Sequence, residues 1–454
     1  MGPPRGRIVV GMGHAAKCDA LVASLRAGHG PVGLSKEPSN LFRDRAGRAH
    51  RRLDVRAFRE VLGVDREAGL LDAEGMVTYE ALADACLACG AMPAIVPQLK
   101  TITLGGAVAG VGIEASSHRY GLVHETVAEL EVLTAGGEIV VCTPRNEHAE
   151  LFHGLPNSYG TLGYALRVKA KAIPVQPYVR LEHLPFDRPE AFFAELERRL
   201  PAGDADFVDG TIFSPRELFL SLGRFSGRAP YTSDYTYEKI YYRSIAARRE
   251  DYLTVRDFLW RWDTDWFWCS KNVLAQSPFF RKFVFGRKRL GSRTYATIMR
   301  WNSRTGFTRA LDHLRGLHPE SVIQDVDIPI ERAAEFLRFY AGAIGIWPLW
   351  ICPIGPVANA DRFPLYPRRA GWYLNFGFWD VIRTREAHAS GHFNRMIEEK
   401  VAALGGIKSL YSDSYYPEAQ FRELYGGEAY ARLKTRYDPG GVFPDLYAKC
   451  VLRR

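Results

Sequence analysis

Between Thr103 and Gly121 the chain reads TLGGAVAGVGIEASSHRYG, with five glycines in nineteen residues. Thr103, Glu114, Ser116, Ser117 and His118 are the main polar groups among them. A run this rich in glycine lets backbone N–H groups approach an extended anion or pack flat against a ring system. The hydroxyls add donors, and Glu114 and His118 are side chains that can move a proton. Two other loops repeat this chemistry. LSKEPSNLF (Leu34–Phe42) offers Lys36, Ser39 and Asn40, and GLPNSYGTLG (Gly154–Gly163) offers Ser158, Gly160, Thr161 and Gly163. Three such loops suit one long cofactor wrapped between them. Near the C-terminus LYSDSYYP adds Tyr411, Asp413 and Tyr415 as further candidate acids. No G-x-x-x-x-G-K-[ST] is present, which argues against a P-loop nucleotidase.

Two other motifs carry less. RIVVGMGHAA has the apolar run and Gly11-x-Gly13-x-x-Ala16 spacing of a dinucleotide fingerprint, but the polar GHGPVGLSKEPSNLFRDR follows where a second buried strand should stand. His14–Leu25 reads instead as an N-terminal helix. Cys86 and Cys89 form a C-x-x-C inside the helical pattern YEALADACLACG, with no second Cys or His pair at zinc spacing, so no metal site is expected. The seven cysteines are scattered and odd in number, which fits a reducing, cytoplasmic compartment.

The elements that must position these loops follow from periodicity. GLLDAEGMVTYEALADACLACGAMPAIVP reads as strand, turn and helix, then Gly90 ending the helix and a strand entering Pro97. VAELEVLTAGGEIVVCTP reads as a hairpin around Gly136 and Gly137, and TLGYALRVKAKAIPV as another strand. From about Gln176 the texture becomes helical, aromatic and charged, in RPEAFFAELERRL and DYLTVRDFLWRWDTDWFWCSKN, before strand-like runs return at SVIQDVDIP and GWYLNFGFWD. The expected fold is α+β: one domain over 1–175, a second α+β domain over 176–404, and a C-terminal segment over 405–454.

The 454 residues include 47% hydrophobic and 24% charged side chains, ordinary for a globular protein and too many for one core. No secretory signal or transmembrane helix is legible; the most apolar stretch, Ala341–Ala360, contains Pro348, Pro353 and Pro356 and reads as buried strand and turn. The formal charge of +9 leaves phosphate, nucleic acid or anionic lipid as partners. No nucleic-acid module is found. FFRKFVFGRKRLGSR (Phe279–Arg293) mixes basic and aromatic residues and suits a basic rim at an apolar substrate entrance, with peripheral membrane contact.

VPQLKTITLGGAVAGVGIEASSHRYG and LFHGLPNSYGTLGYALRVKAKAIP resemble the FAD-binding domain of the vanillyl-alcohol-oxidase/PCMH flavoproteins. The resemblance is strongest to the Diminuto-type delta-24-sterol reductases and extends through VIQDVDIP, PLWICPIGP, LYSDSYYP and YDPGGVFPDLYAK. It implies a PCMH-type FAD-binding domain, a substrate or cap domain, and a tail returning to the flavin domain. It places FAD against Thr103–Gly121, with the pyrophosphate on the amides around Gly105, Gly106, Gly110 and Gly112. Thr103, Ser116, Ser117, His118 and Gly121 would complete that side. Lys36, Ser39 and Asn40 would hold the opposite side, and Ser158, Gly160, Thr161 and Gly163 would close the channel. KEPSN and GVGIEAS contain no histidine, so non-covalent FAD is expected. The chain departs from animal and plant sterol reductases in its short front and its compact arginine-rich loop between Lys36 and Arg59.

The implied reaction is reduction of an alkene bond in the side chain of a sterol or other lipid-like substrate, with NADPH as reductant. An unpolarised alkene needs a proton on its less substituted carbon and hydride on the tertiary carbon, hence a positioned acid in an aromatic pocket. Glu114, Tyr411, Asp413 and Tyr415 are the catalytic candidates, and Trp347, Trp350, Trp372, Tyr373, Phe376, Phe378 and Trp379 supply aromatics. The rival is an FAD-linked oxidase or dehydrogenase of an alcohol or sugar-like substrate on the same scaffold.

Overall fold

The computed structural model describes residues 13–36, 42–43, 51–358 and 362–454, apart from the side chains at 303 and 304. Ser39 and Asn40 lie outside the described residues, as does Gly11. Two large β-sheets, each with its own helices, carry an α+β fold, and Val32–Ser35 pairs in parallel with Arg51–Asp54 as a third, two-stranded sheet.

The first sheet has the order Val61–Asp65, Leu70–Glu74, Tyr164–Pro174, Val127–Leu133, Ile139–Cys142, with Ala91–Pro93 also pairing on Tyr164–Pro174. Its long strand alternates buried and half-exposed residues, as a sheet covered on one face requires. The helix Tyr79–Ala88 begins at Thr78, whose hydroxyl accepts the Ala81 N–H, and stops before Gly90 at φ +70. The hairpin turns at Gly136-Gly137, the second of these with φ +74. The N-terminal helix Gly13–Arg26 is tied to this sheet by His14, whose ring nitrogens meet Glu74 at 2.8 Å and Glu131 at 3.0 Å. His14, Cys18 and Glu131 bring their ligand-type atoms within 4.8 Å of one another, a grouping their distance in sequence hides.

The second sheet has eight antiparallel strands in the order Glu250–Thr254, Tyr178–Phe186, Glu217–Ser226, Phe207–Ser214, Leu349–Ile354, Tyr373–Thr384, His318–Pro329, Ile407–Lys408. The helices Pro189–Arg199, Ala333–Ala343 and His392–Ala403 cover one face, where Leu374, Phe376 and Phe378 join their core. The side chains of Asn375 and Trp379 point the other way, towards the first sheet.

One local expectation is corrected. DYLTVRDFLWRWDTDWFWCSKN is not a long helix. It is a strand to Thr254, one short helix Val255–Leu259, and 3₁₀ turns at Asp263–Asp265 and Cys269–Val273. Trp260, Trp262, Trp266, Phe267 and Trp268 are all buried. The backbone turns left-handed at Trp266 (φ 45) and Phe267 (φ 57), a conformation that a right-handed helix cannot continue through.

The tail carries the helices Glu418–Leu424, Gly427–Tyr437 and Leu446–Cys450. Lys434 Nζ donates to the Thr161 carbonyl at 2.9 Å and Lys449 Nζ to the Tyr159 carbonyl at 2.6 Å, which fastens the tail to the third glycine loop.

Candidate functional site

A cavity of about 810 Å³ lies between the two sheets. One wall is glycine. Gly105, Gly106, Gly110 and Gly112 line it, with Gly160 and Gly163 from the third loop and Thr103 and Lys36 beside them. The helix Leu104–Ala109 starts in this wall, and Thr103 caps it by accepting the Gly106 N–H at 3.3 Å. A β-carbon at Gly105 would stand 2.9 Å from the Gly75 carbonyl, and one at Gly106 would stand 2.7 Å from Thr103 Oγ1. Two non-glycine residues of the wall, Val111 (φ 53) and Tyr159 (φ 51), are held in the left-handed region. For a β-branched or bulky residue that conformation is strained and calls for enforcement by its surroundings. Tyr159 supplies some: its hydroxyl reaches Ser409 at 3.2 Å and its ring lies under Arg43.

The opposite wall is aromatic and acidic. Trp350 and Trp379 come from the second sheet and Trp266 and Phe267 from the broken aromatic segment. Phe267 packs on Trp379 with ring centroids 4.4 Å apart. Within this wall Ile323, Asp325 and Asp327 face the cavity from one strand. Burial pushes the Asp325 carboxyl up to about 7, with Asp327 adding to the rise and the neighbouring Tyr411 hydroxyl opposing it. Burial likewise raises Asp327 to about 6, against hydrogen bonds from Asn375 and Tyr366. Tyr411 also lines the cavity, and its hydroxyl accepts the Trp379 indole N–H at 2.8 Å. Among the described residues, three buried polar atoms on the cavity lining have no hydrogen-bond partner: Gln98 Oε1, Asp325 Oδ1 and Asn375 Oδ1. Buried polar atoms are rarely left so, and atoms at a cavity wall find their partner in what fills it.

The remaining candidates stand elsewhere. Ser116, Ser117, His118, Glu114, Gly121, Ser158 and Thr161 do not line the cavity, and neither do Asp413 and Tyr415. Ser116 Oγ donates to the Ala94 carbonyl at 2.7 Å, and Ser117 Oγ accepts the Glu114 N–H at 3.1 Å. The His118 ring sits between the carbonyls of Ala115 (2.9 Å) and Ala205 (3.1 Å). Val208 N–H donates to the Ala115 carbonyl at 2.8 Å, and Gly355 N–H to the Ser117 carbonyl at 3.0 Å. Residues 114–118 are therefore a joint between the two sheets. A β-carbon at Gly121 would collide with the Glu125 carboxylate. Ser158 and Thr161 are buried in their own turn, with Thr161 Oγ1 donating to the Ser158 carbonyl at 2.8 Å. Asp413 pairs with Arg453 at 3.5 Å, and Tyr415 accepts from Arg453 Nη2 at 2.9 Å.

Glu114 lies one side chain behind the cavity wall. Gln98, which does line the cavity, donates its amide to Glu114 Oε1, and Arg261 Nη2 donates to the same oxygen at 3.1 Å and to Asp209 at 2.8 Å. All three charged groups are buried. Burial pushes the Glu114 carboxyl upward, and the Arg261 charge opposes that rise. Its surroundings are those of a structural anchor.

Sequence reasoning missed Asp325, Asn375, Gln98 and Arg261. The signal for Asp325 was available: in SVIQDVDIP, Val322, Gln324, Val326 and Ile328 share one face of a strand, which leaves Asp325 and Asp327 together on the other.

Comparison with known proteins agrees with this geometry. Residues 7–143 match the FAD binding domain family. The protein is 27% identical over 405 residues to the Delta(24)-sterol reductase of Homo sapiens, covering 86% of this chain and 76% of that protein. It is 26% identical over 475 residues to the Delta(24)-sterol reductase of Arabidopsis thaliana, covering 96% and 82%. A shorter match, 26% over 158 residues and 34% of this chain, joins it to Cytokinin dehydrogenase 1 of Oryza sativa subsp. japonica. With its glycine wall, its match to the FAD binding domain over residues 7–143 and relatives aligned over most of its length, the chain carries a PCMH-type FAD-binding domain and is similar to the Delta(24)-sterol reductases.

Proposed function

We propose that this flavoprotein reduces an isolated C=C bond in the side chain of a sterol or similarly apolar lipid, with NADPH as the reductant. The carrying observation is Asp325: an acid raised to about 7, with an unpaired oxygen, in a wall that also holds Trp266, Phe267, Trp350 and Trp379. The FAD would lie on the wall formed by Gly105, Gly106, Gly110, Gly112, Gly160 and Gly163, with Lys36 and Thr103 at its phosphates. The absence of β-carbons there and the unpaired Gln98 oxygen fit an extended, flat group.

When bound and reduced, FAD supplies the hydride. The protein's own part is the proton. Asp325 in its neutral form donates it to the less substituted alkene carbon, and Tyr411, fixed by Trp379, orients the carboxyl. Positive charge developing on the tertiary carbon then faces the rings of Trp266, Phe267, Trp350 and Trp379, which stabilise a cation without competing for the proton. The same rings exclude water from the acid.

Anaerobic titration tests the reading. NADPH should bleach the flavin band of FAD-loaded protein, and a sterol with an unsaturated side chain should restore it with formation of the saturated product. Bleaching by alcohols followed by oxygen consumption, with no response to the alkene, would overturn it in favour of an oxidase or dehydrogenase.

A further inference from the structure

Among the described residues, twelve large apolar side chains stand exposed, and eight of them lie between Leu274 and Leu314. This segment holds the helices Ser292–Thr305 and Phe307–Leu314 and the turn around Phe280–Phe285. Trp301 is 54% exposed and Phe307 55%, yet both line the cavity, as does Met299, so they form its rim. Their rings touch, with centroids 5.8 Å apart. Phe279 and Phe283 form a second exposed pair, 5.3 Å apart.

The net charge of the protein is concentrated in the same place. Ten of the 60 Lys and Arg and one of the 51 Asp and Glu lie between Phe279 and Arg315. The remaining residues therefore carry fifty of each sign, and the formal +9 falls within this one segment. Its one acid, Asp312, is buried against Arg383 at 3.0 Å, and the buried base Arg281 is held by Asp265 at 2.6 Å. Lys282, Lys288, Arg289, Arg300, Arg309 and Arg315 are all exposed.

We infer that this segment docks the protein on an anionic lipid bilayer, with the cavity rim against the membrane. Exposed aromatic and aliphatic side chains enter the interface between headgroups and acyl chains, and the surrounding arginines and lysines pair with anionic headgroups. A nucleic-acid duplex would pair its phosphates with the basic side chains but gains little from Phe279, Phe283 and Leu314, because its bases are already stacked on one another and these side chains carry no hydrogen-bonding group. No helix among the described residues is long and apolar enough to cross a membrane, so the contact is with one surface. The inference does not depend on which reaction the cavity performs, because its readout is binding.

Flotation of the full-length, FAD-loaded protein tests it, with vesicles of phosphatidylcholine alone or with about a third phosphatidylserine. The protein should float with the anionic vesicles and stay behind with the neutral ones, and added salt should weaken the binding. Lys288→Glu with Arg289→Glu should lower vesicle binding about tenfold or more, and Phe279→Ser with Phe283→Ser should do the same. None of these four lines the cavity, so unchanged flavin content certifies the fold. Equal partition on both vesicle types, wild-type binding by both double variants, or displacement from vesicles by a short DNA duplex at equal salt would overturn the inference.

Discussion

Gly377 stands directly opposite Asp325 in the antiparallel pairing of Tyr373–Thr384 with His318–Pro329. A β-carbon at 377 would lie 2.7 Å from Asp325 Oδ1 and 2.5 Å from Trp379 Cη2. The missing side chain is what makes room for both the acid and the indole. Gly377→Ala should therefore move the carboxyl while leaving the glycine wall intact. The expected outcome is retained FAD and a slowing of the alkene half-reaction by up to about a hundredfold, the scale of a misplaced catalytic group. Stopped-flow reoxidation of the reduced enzyme measures it.

Asp325 must be neutral to donate a proton, and it is neutral below the pH at which it ionises, raised by burial to about 7. The alkene half-reaction should be level at lower pH and fall about tenfold per unit well above that point. Asp325→Asn should remove this limb and slow the step by about a hundredfold or more, with flavin reduction by NADPH unchanged. A variant that keeps the wild-type pH profile would take Asp325 out of the mechanism.

Gly106 lines the cavity and donates its N–H to Thr103, the cap of the short helix behind it. A side chain there would enter the space proposed for the cofactor and would also collide with the cap hydroxyl at 2.7 Å. Gly106→Val should cut FAD content about tenfold, beyond the ~1 kcal/mol of a lost cap. Flavin absorbance per folded protein, with folding followed by far-UV circular dichroism, checks it.

Arg261 balances two buried carboxylates, Glu114 and Asp209. Arg261→Met leaves both without their cation and should destabilise the protein by about 3–5 kcal/mol. Glu114→Gln with Asp209→Asn should restore part of that loss, because the neutral side chains no longer need a counter-charge. Glu114→Gln alone should leave the alkene step close to wild type. Thermal melts and the stopped-flow assay separate the two effects.

Much of the architecture was legible because local signals agreed. Thr78 and Gly90 bound one helix, Gly136-Gly137 turns one hairpin, and SVIQDVDIP and GWYLNFGFWD mark two strands that pair with each other in the second sheet. The glycine wall was legible for the same reason: Gly105 to Gly112 sit close in sequence and act together. The segment after Thr254 misled because its mix of charged and aromatic residues suits a helix in composition, while the left-handed backbone at Trp266 and Phe267 that interrupts it has no glycine to announce it. The acid was not legible in context. Asp325 owes its state to a cavity assembled from Tyr411, Trp379 and the glycine opposite, none of them near it in sequence. Glu114 drew attention by standing among glycines, yet its partner Arg261 comes from beyond the second sheet's first four strands.

The joint at 114–118 has a mechanical consequence. Its carbonyls accept the N–H groups of Val208 and Gly355, its His118 ring meets the Ala205 carbonyl, and its carboxylate is gripped by Arg261. A weld of main-chain bonds and a buried ion triad leaves no hinge line along this edge of the interface. The two sheets cannot gape there like the halves of a shell to admit a bulky guest. The exposed fringe of Met299, Trp301 and Phe307 stands outside this weld, so a guest that enters there meets a door hung on a rigid frame.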